Sequence, residues 1–135
     1  MAVPDPVAWV AEVERLYRAQ DADGVSALYG PTARTRFGSL LMTPEQVHDH
    51  PREWFDSLDE YEISRTFRAA TGDVIVSETT ASYIVKDDGQ RYREFGVDVY
   101  WVDDDGVIYH KHTSEVVEPF GLREPTDDDC PQGRA

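Results

Sequence analysis

Near residue 59 the chain changes period, and that change limits its fold more than anything else in it. From there to residue 118 it consists of long runs broken by short turns. Residues 61–70 set Tyr61, Ile63, Arg65, Phe67 and Ala69 against Glu62, Ser64, Thr66 and Arg68. Residues 74–85, 91–102 and 107–118 are three further runs rich in β-branched and aromatic side chains. Such runs are strands. Thr71-Gly72-Asp73, Lys86-Asp87-Asp88-Gly89 and Asp103-Asp104-Asp105-Gly106 separate them. Turns this short join antiparallel neighbours. Pro119 and Gly121 stop the sheet.

The first part of the chain reads as helices. Residues 7–20 carry Val10, Val13, Leu16 and Tyr17 at helical spacing, with Asp5-Pro6 as cap and first turn. A second, short helix is expected over 23–29, with Asp23 as cap and Val25, Leu28 and Tyr29 turned inward. Residues 32–37, TARTRF, read as a short strand. Thr43-Pro44-Glu45-Gln46 then forms a capping box that starts a helix over 44–57. Pro51 lies inside that helix and predicts a kink or a break. Helices followed by strands make an α+β class. The last three strands are apolar on both faces, so helices should cover one side and a second subunit or solvent the other. A homodimer through the sheet is expected.

Composition narrows the function. There are 13 Lys and Arg against 27 Asp and Glu, a formal charge of −14. Such a surface repels nucleic-acid backbones and anionic membranes. No run approaches the length of a membrane span, and the N-terminus lacks the pattern of a secretory signal. The lone cysteine, Cys130, permits no internal disulfide and fits a reducing compartment, so a cytoplasmic setting is expected. Residues 123–135 are too polar to order themselves, which predicts one domain over 1–122 and a mobile acidic tail. No dinucleotide fingerprint, phosphate loop, nucleophile elbow or H-E-x-x-H sequence is present, so no cofactor is expected.

Chemistry concentrates on the strands. In the last one, Ile108, His110, His112 and Ser114 share one face, and Tyr109, Lys111, Thr113 and Glu115 the other. A β-bulge between Val107 and His110 would exchange those faces. The strand before it sets Tyr92, Glu94, Gly96, Asp98 and Tyr100 against Arg93, Phe95, Val97, Val99 and Trp101. The second of these faces is either core or an apolar dimer surface. Asp98 is either a catalytic carboxylate or half of a structural salt bridge, because a mid-strand aspartate is rarely buried without a partner. His110 and His112 have a workable chelating spacing, with Glu78, Glu94 or Asp98 to complete a set. Nothing in the sequence requires a metal, and none is expected. His48 and His50 are also two apart, but a helix points such side chains in different directions.

The pattern as a whole resembles the SnoaL-like branch of the nuclear transport factor 2-like superfamily. The likeness rests on the opening helix followed by AQDADGVSALYGPTARTRF, on TPEQV, and on the GDVIVSE, VDVYWV and DGVIYHKH strands, and it spans residues 8–118. It implies a cone in which a curved antiparallel sheet wraps around three N-terminal helices and leaves a pocket at the open end. It also implies a small apolar organic ligand. The family includes isomerases, cyclases, dehydratases, epoxide hydrolases and binding-only proteins, and fold does not choose among them. Positions matched by His110 and His112 commonly hold an acidic residue and a tryptophan that face the pocket, so two histidines here are a departure. His110, His112 and Asp98 are therefore the candidate catalytic residues, with Glu94 near enough to orient a ring. Tyr83 or Tyr100 can donate to an oxyanion. Arg36 can hold a head group or make an ion pair, and Tyr17 and Trp54 are expected as pocket wall or core. An apolar cavity is expected to raise carboxylate pKa values, so that an aspartate or histidine acts as base.

Overall fold

The computed structural model describes residues 3–117. The expected tail over 123–135, and the last residue of the expected final strand, lie outside the described residues. Three helices, α1 (Pro6–Arg18), α2 (Ala22–Ala27) and α3 (Pro44–Asp56), accompany six strands. The strands are β1 (Tyr29–Phe37), β2 (Leu40–Leu41), β3 (Leu58–Thr71), β4 (Val74–Val85), β5 (Arg91–Asp103) and β6 (Gly106–Val117).

The helix signals act as expected at two starts and differ at the third. Asp5 accepts a bond from the Ala8 amide, and Thr43 and Gln46 form the reciprocal capping box. Asp21, not Asp23, caps α2 through the Gly24 amide, and Asp23 instead meets Arg52. The helix expected to kink or break at Pro51 runs through it unbroken, with the proline buried. Tyr29 opens β1 rather than closing α2.

The curved sheet has the order β2-β1-β6-β5-β4-β3. The four long strands β3 to β6 form the expected antiparallel meander. β1 departs from it by pairing with β6 in parallel, Thr35 opposite His110 and Phe37 opposite His112. Parallel neighbours need a long connection, and here α3 and the whole meander supply it.

The register of β6 contains the bulge that would exchange its faces. Trp101 pairs with Tyr109 and Val102 with Val107, which leaves Ile108 unpaired and 44% exposed. Val107 therefore turns inward where Ile108 was expected. Beyond the bulge, His110 and His112 are both buried. On β5 the Asp98–Tyr100 face is the inner one, and the Val97 face looks outward. The core gathers Val10, Leu16, Val25, Val47, Phe55 and Ile75 between helices and sheet. No helix among the described residues is long and apolar enough to cross a membrane.

Candidate active site

A cavity of about 450 Å³ opens between α1, α3 and the concave face of the sheet. Its wall is mostly apolar, with Phe37, Met42, Trp54, Tyr61, Ile63 and Val116 among the lining. One seam of polar groups crosses it. Each of the four meander strands contributes an inward side chain: Arg65 from β3, Thr79 from β4, Asp98 and Glu94 from β5, His110 and His112 from β6.

Asp98 is the hub and is fully buried. Its Oδ1 accepts from His110 Nε2 and His112 Nδ1, each at 2.7 Å. Its Oδ2 accepts from Arg65 Nη1 at 3.0 Å and from the Thr79 hydroxyl. Arg65 also donates to the Tyr100 hydroxyl at 2.9 Å and lies over the Tyr17 ring. On the other side of His112, Nε2 meets Glu94 Oε1 at 2.6 Å. The Tyr83 hydroxyl donates to Glu94 Oε2 at 3.0 Å. Gly96 sits between Glu94 and Asp98 on the same face, and a Cβ there would stand 2.8 Å from His112 Cε1. The missing side chain is what admits the imidazole.

Protonation follows from this geometry. Burial opposes charge on His112, but the hydrogen bonds and charges of Asp98 and Glu94 outweigh it and raise the pKa to about 9. His112 is an imidazolium at neutral pH, and both of its N–H groups reach carboxylates. Burial lowers His110 below the ordinary value against the partial opposition of Asp98. Neutral His110 gives its one N–H to Asp98, so Nδ1 accepts from the Tyr29 hydroxyl at 2.8 Å. Burial alone would raise the two carboxyls. Arg65 and the two imidazoles hold Asp98 well below its usual range, and His112 and Tyr83 hold Glu94 low. The expected upward shift of a carboxylate is thus not found. Two carboxylates and two cations balance, as a buried ionic cluster must.

Asp98, His110 and His112 also offer three metal-ligand atoms within 4.8 Å of one another. An ion there would have to displace an N–H proton that the neighbouring carboxylates hold on His112, beside a carboxylate already paired with Arg65. The donor set fits a proton network better than a metal.

Of the residues singled out in the sequence, His110, His112, Asp98, Glu94, Tyr83, Tyr17 and Trp54 all line the cavity. Tyr100 does not. It is buried behind the seam, stacked on His110 with centroids 4.2 Å apart. Arg36 points outward and bonds the Gly38 carbonyl, because Ala33, Thr35 and Phe37 take the inward parity of β1. Sequence reasoning passed over Arg65, Thr79, Tyr29 and His50. Arg65 had a signal: it was the lone charge on the apolar face of its strand. His50 had none beyond its place on α3.

No family model matches the sequence, and no curated protein matches it. Solved structures do. An LEH-like epoxide hydrolase from M. tuberculosis superposes with a TM-score of 0.67 at 16% identity, over 82% of each chain. A protein of ketosteroid isomerase-like fold from Catenulispora acidiphila, bound to trimethylamine, gives 0.67 at 11% identity over 82% of this chain and 85% of that one. An NTF2-like protein from Exiguobacterium gives 0.66 at 13% identity, over 78% and 96%. At these identities the likeness speaks for the fold, and the chain has the α+β cone of the nuclear transport factor 2-like proteins.

Proposed function

We propose that the chain is an enzyme that rearranges a small, largely apolar organic molecule by proton transfer, without a cofactor. The observation that carries this reading is the charge-balanced seam ending at His112 and Glu94 on the wall of an otherwise apolar cavity. The volume suits a drug-sized molecule. The ligand is neutral, because Arg65 and His112 are both engaged by carboxylates and leave no free cation among the described residues that line the cavity. His112 is the acid, its Nε2–H shared between Glu94 and an oxygen of the ligand. Asp98 and His110 position it, and Tyr83 steadies Glu94. The reaction is an isomerisation, cyclisation, dehydration or epoxide opening, and the epoxide hydrolase among the structural neighbours is in keeping with this range. The alternative is a ligand-binding or assembly protein of the same fold without chemistry.

The test is to incubate the protein in deuterated water with ring ketones, epoxides and polyketide-like compounds and to read products and deuterium uptake by mass spectrometry. Turnover that falls about 10²- to 10⁴-fold in His112→Asn supports the acid role. Compounds that raise the melting temperature but are never converted favour the alternative. We propose further that two copies pair through the outer sheet face, where Val97 and Ile108 are 43% and 44% exposed beside Phe95, Val99 and Trp101. A monomer mass by light scattering at micromolar concentration would rule this out.

A further inference from the structure

The seam supplies an acid but no free base. Asp98 accepts four bonds and Glu94 is held by His112 and Tyr83. His110 is held by Asp98 and Tyr29. The four acceptor sites of Asp98 and the free nitrogen of His110 are committed, each Glu94 oxygen already accepts a bond, and both carboxyls are weakened as bases.

His50 is different. It lines the same cavity from α3, yet neither of its nitrogens makes a hydrogen bond among the described residues. Its ring is fixed by packing alone. Trp54, one turn further along the helix, stacks on it at 6.1 Å and 22°, and Phe37 from β1 lies 5.3 Å away. These contacts close a ring around the cavity. From His50 one path runs through Trp54 and the edge of Tyr83 to Glu94; the other runs through Phe37 and His112 to Glu94. Glu94 is three contacts from His50 by either route, so the free imidazole and the charged pair occupy separate parts of one enclosure.

We propose that His50 is the general base of this cavity, a catalytic residue whose role rests on the proton-transfer reading above. A nitrogen lone pair of His50 forms the new N–H bond. The C–H bond of a carbon beside a carbonyl breaks, and its electron pair moves onto the carbonyl oxygen, which takes a hydrogen bond from His112. The imidazolium then returns the proton to the rearranged molecule, and the cycle balances. Burial keeps His50 neutral, and the positive charge of His112 on β6 works in the same direction. Glu53 on its own helix opposes them, and the net effect is a pKa below the ordinary 6.5. Phe37 on β1 adds no charge.

A neutral aromatic probe reads this base without knowledge of the natural ligand. A base removes the ring C–H of nitrobenzisoxazole as the N–O bond breaks, and the product is a coloured cyanophenolate. The wild type should convert it faster than free imidazole at equal concentration, and the rate should fall with acid below the ordinary histidine range. His50→Gln should lower the rate at least about 100-fold and abolish that acid limb, while its thermal melt stays unchanged. His48→Gln, on the face of the same helix that meets α2 and the start of β1, should retain the rate. Diethyl pyrocarbonate should acylate His50 before the other three imidazoles. A rate and pH profile that survive His50→Gln overturn the proposal, as does a wild type no faster than free imidazole. If Glu94→Gln removes the activity and His50→Gln does not, the base is Glu94. In that case the reading of the cavity as a proton-transfer site stands without His50.

Discussion

His48 and His50 stand two residues apart on α3, and His110 and His112 stand two apart on β6. On the strand this spacing puts both rings on one face, where they converge on a single oxygen of Asp98. On the helix it turns them about 200° from one another. His48 Nε2–H bonds the Gly30 carbonyl at 3.0 Å and Ser26 Oγ lies 2.8 Å from Nδ1, which ties α3 to α2 and the start of β1. His50 faces the cavity, and neither of its nitrogens makes a hydrogen bond among the described residues. The same spacing gives a coupled pair in one element and two unrelated residues in the other. Whether an imidazole is acid, base or strut is decided by what meets its two nitrogens.

Asp98→Asn erases the coupling of the strand pair and leaves Arg65 buried without its counter-ion. We expect a loss of about 3–5 kcal/mol in denaturant unfolding. A loss below about 1 kcal/mol would show that the seam does not hold the sheet together.

The next effect is read by pH. His112 is raised in the fold from 6.5 to about 9, so its contribution to stability is complete below 6.5 and is lost as pH rises through about 9. The denaturation midpoint should decline over that window, and the decline should vanish in His112→Gln. NMR titration should find His110 and His50 on the other side, below 6.5. If all three titrate together, the contrast between the pairs fails.

Gly96→Ala should cost about 1–3 kcal/mol through overpacking. Its methyl group would meet His112 Cε1 at 2.8 Å and the Thr113 carbonyl at 3.2 Å. The titration midpoint of His112 should drop as the ring moves off its carboxylates. The helix pair should give the smallest changes. His48→Ala should lose about 1 kcal/mol with its hydrogen bonds, and His50→Gln should cost less than that, since no hydrogen bond goes with it. An order reversed between these two would mean that His50 is held by more than ring packing.

The meander was legible because alternation and turn chemistry are local. β4 and β5 lie where their side chains predict, and alternation put His110 with His112, and Asp98 with Glu94, on shared faces. Which face looks inward was left open, because it depends on the helices that cover it and on the bulge at Ile108. The parallel pairing of β1 with β6 was not legible, since it joins segments some 75 residues apart with nothing local to announce it. Arg36 was misplaced although the strand carried a signal: Arg34 and Arg36 share one parity and Ala33, Thr35 and Phe37 the other, so the charged parity is the one that faces out. The charge state of Asp98 depended on Arg65, which reaches it from two strands away. His50 was hidden because a helix face is read from apolar side chains, and its use depends on Phe37 from another element.

The seam also bears on how the sheet finds its pairing. Arg65 stands opposite Thr79, Tyr100 opposite His110, and Asp98 opposite His112, so one buried polar cluster samples the alignment of all four meander strands. A slip of one residue in any of them turns its member of the cluster to the outer face. The ions left inside would then lack partners, a far larger penalty than the apolar contacts exchanged in the same slip. Strands with apolar residues on both faces are otherwise weakly committed to one alignment. Here the cluster makes every wrong alignment expensive, and it is complete only after β6, the last strand of the meander, has docked.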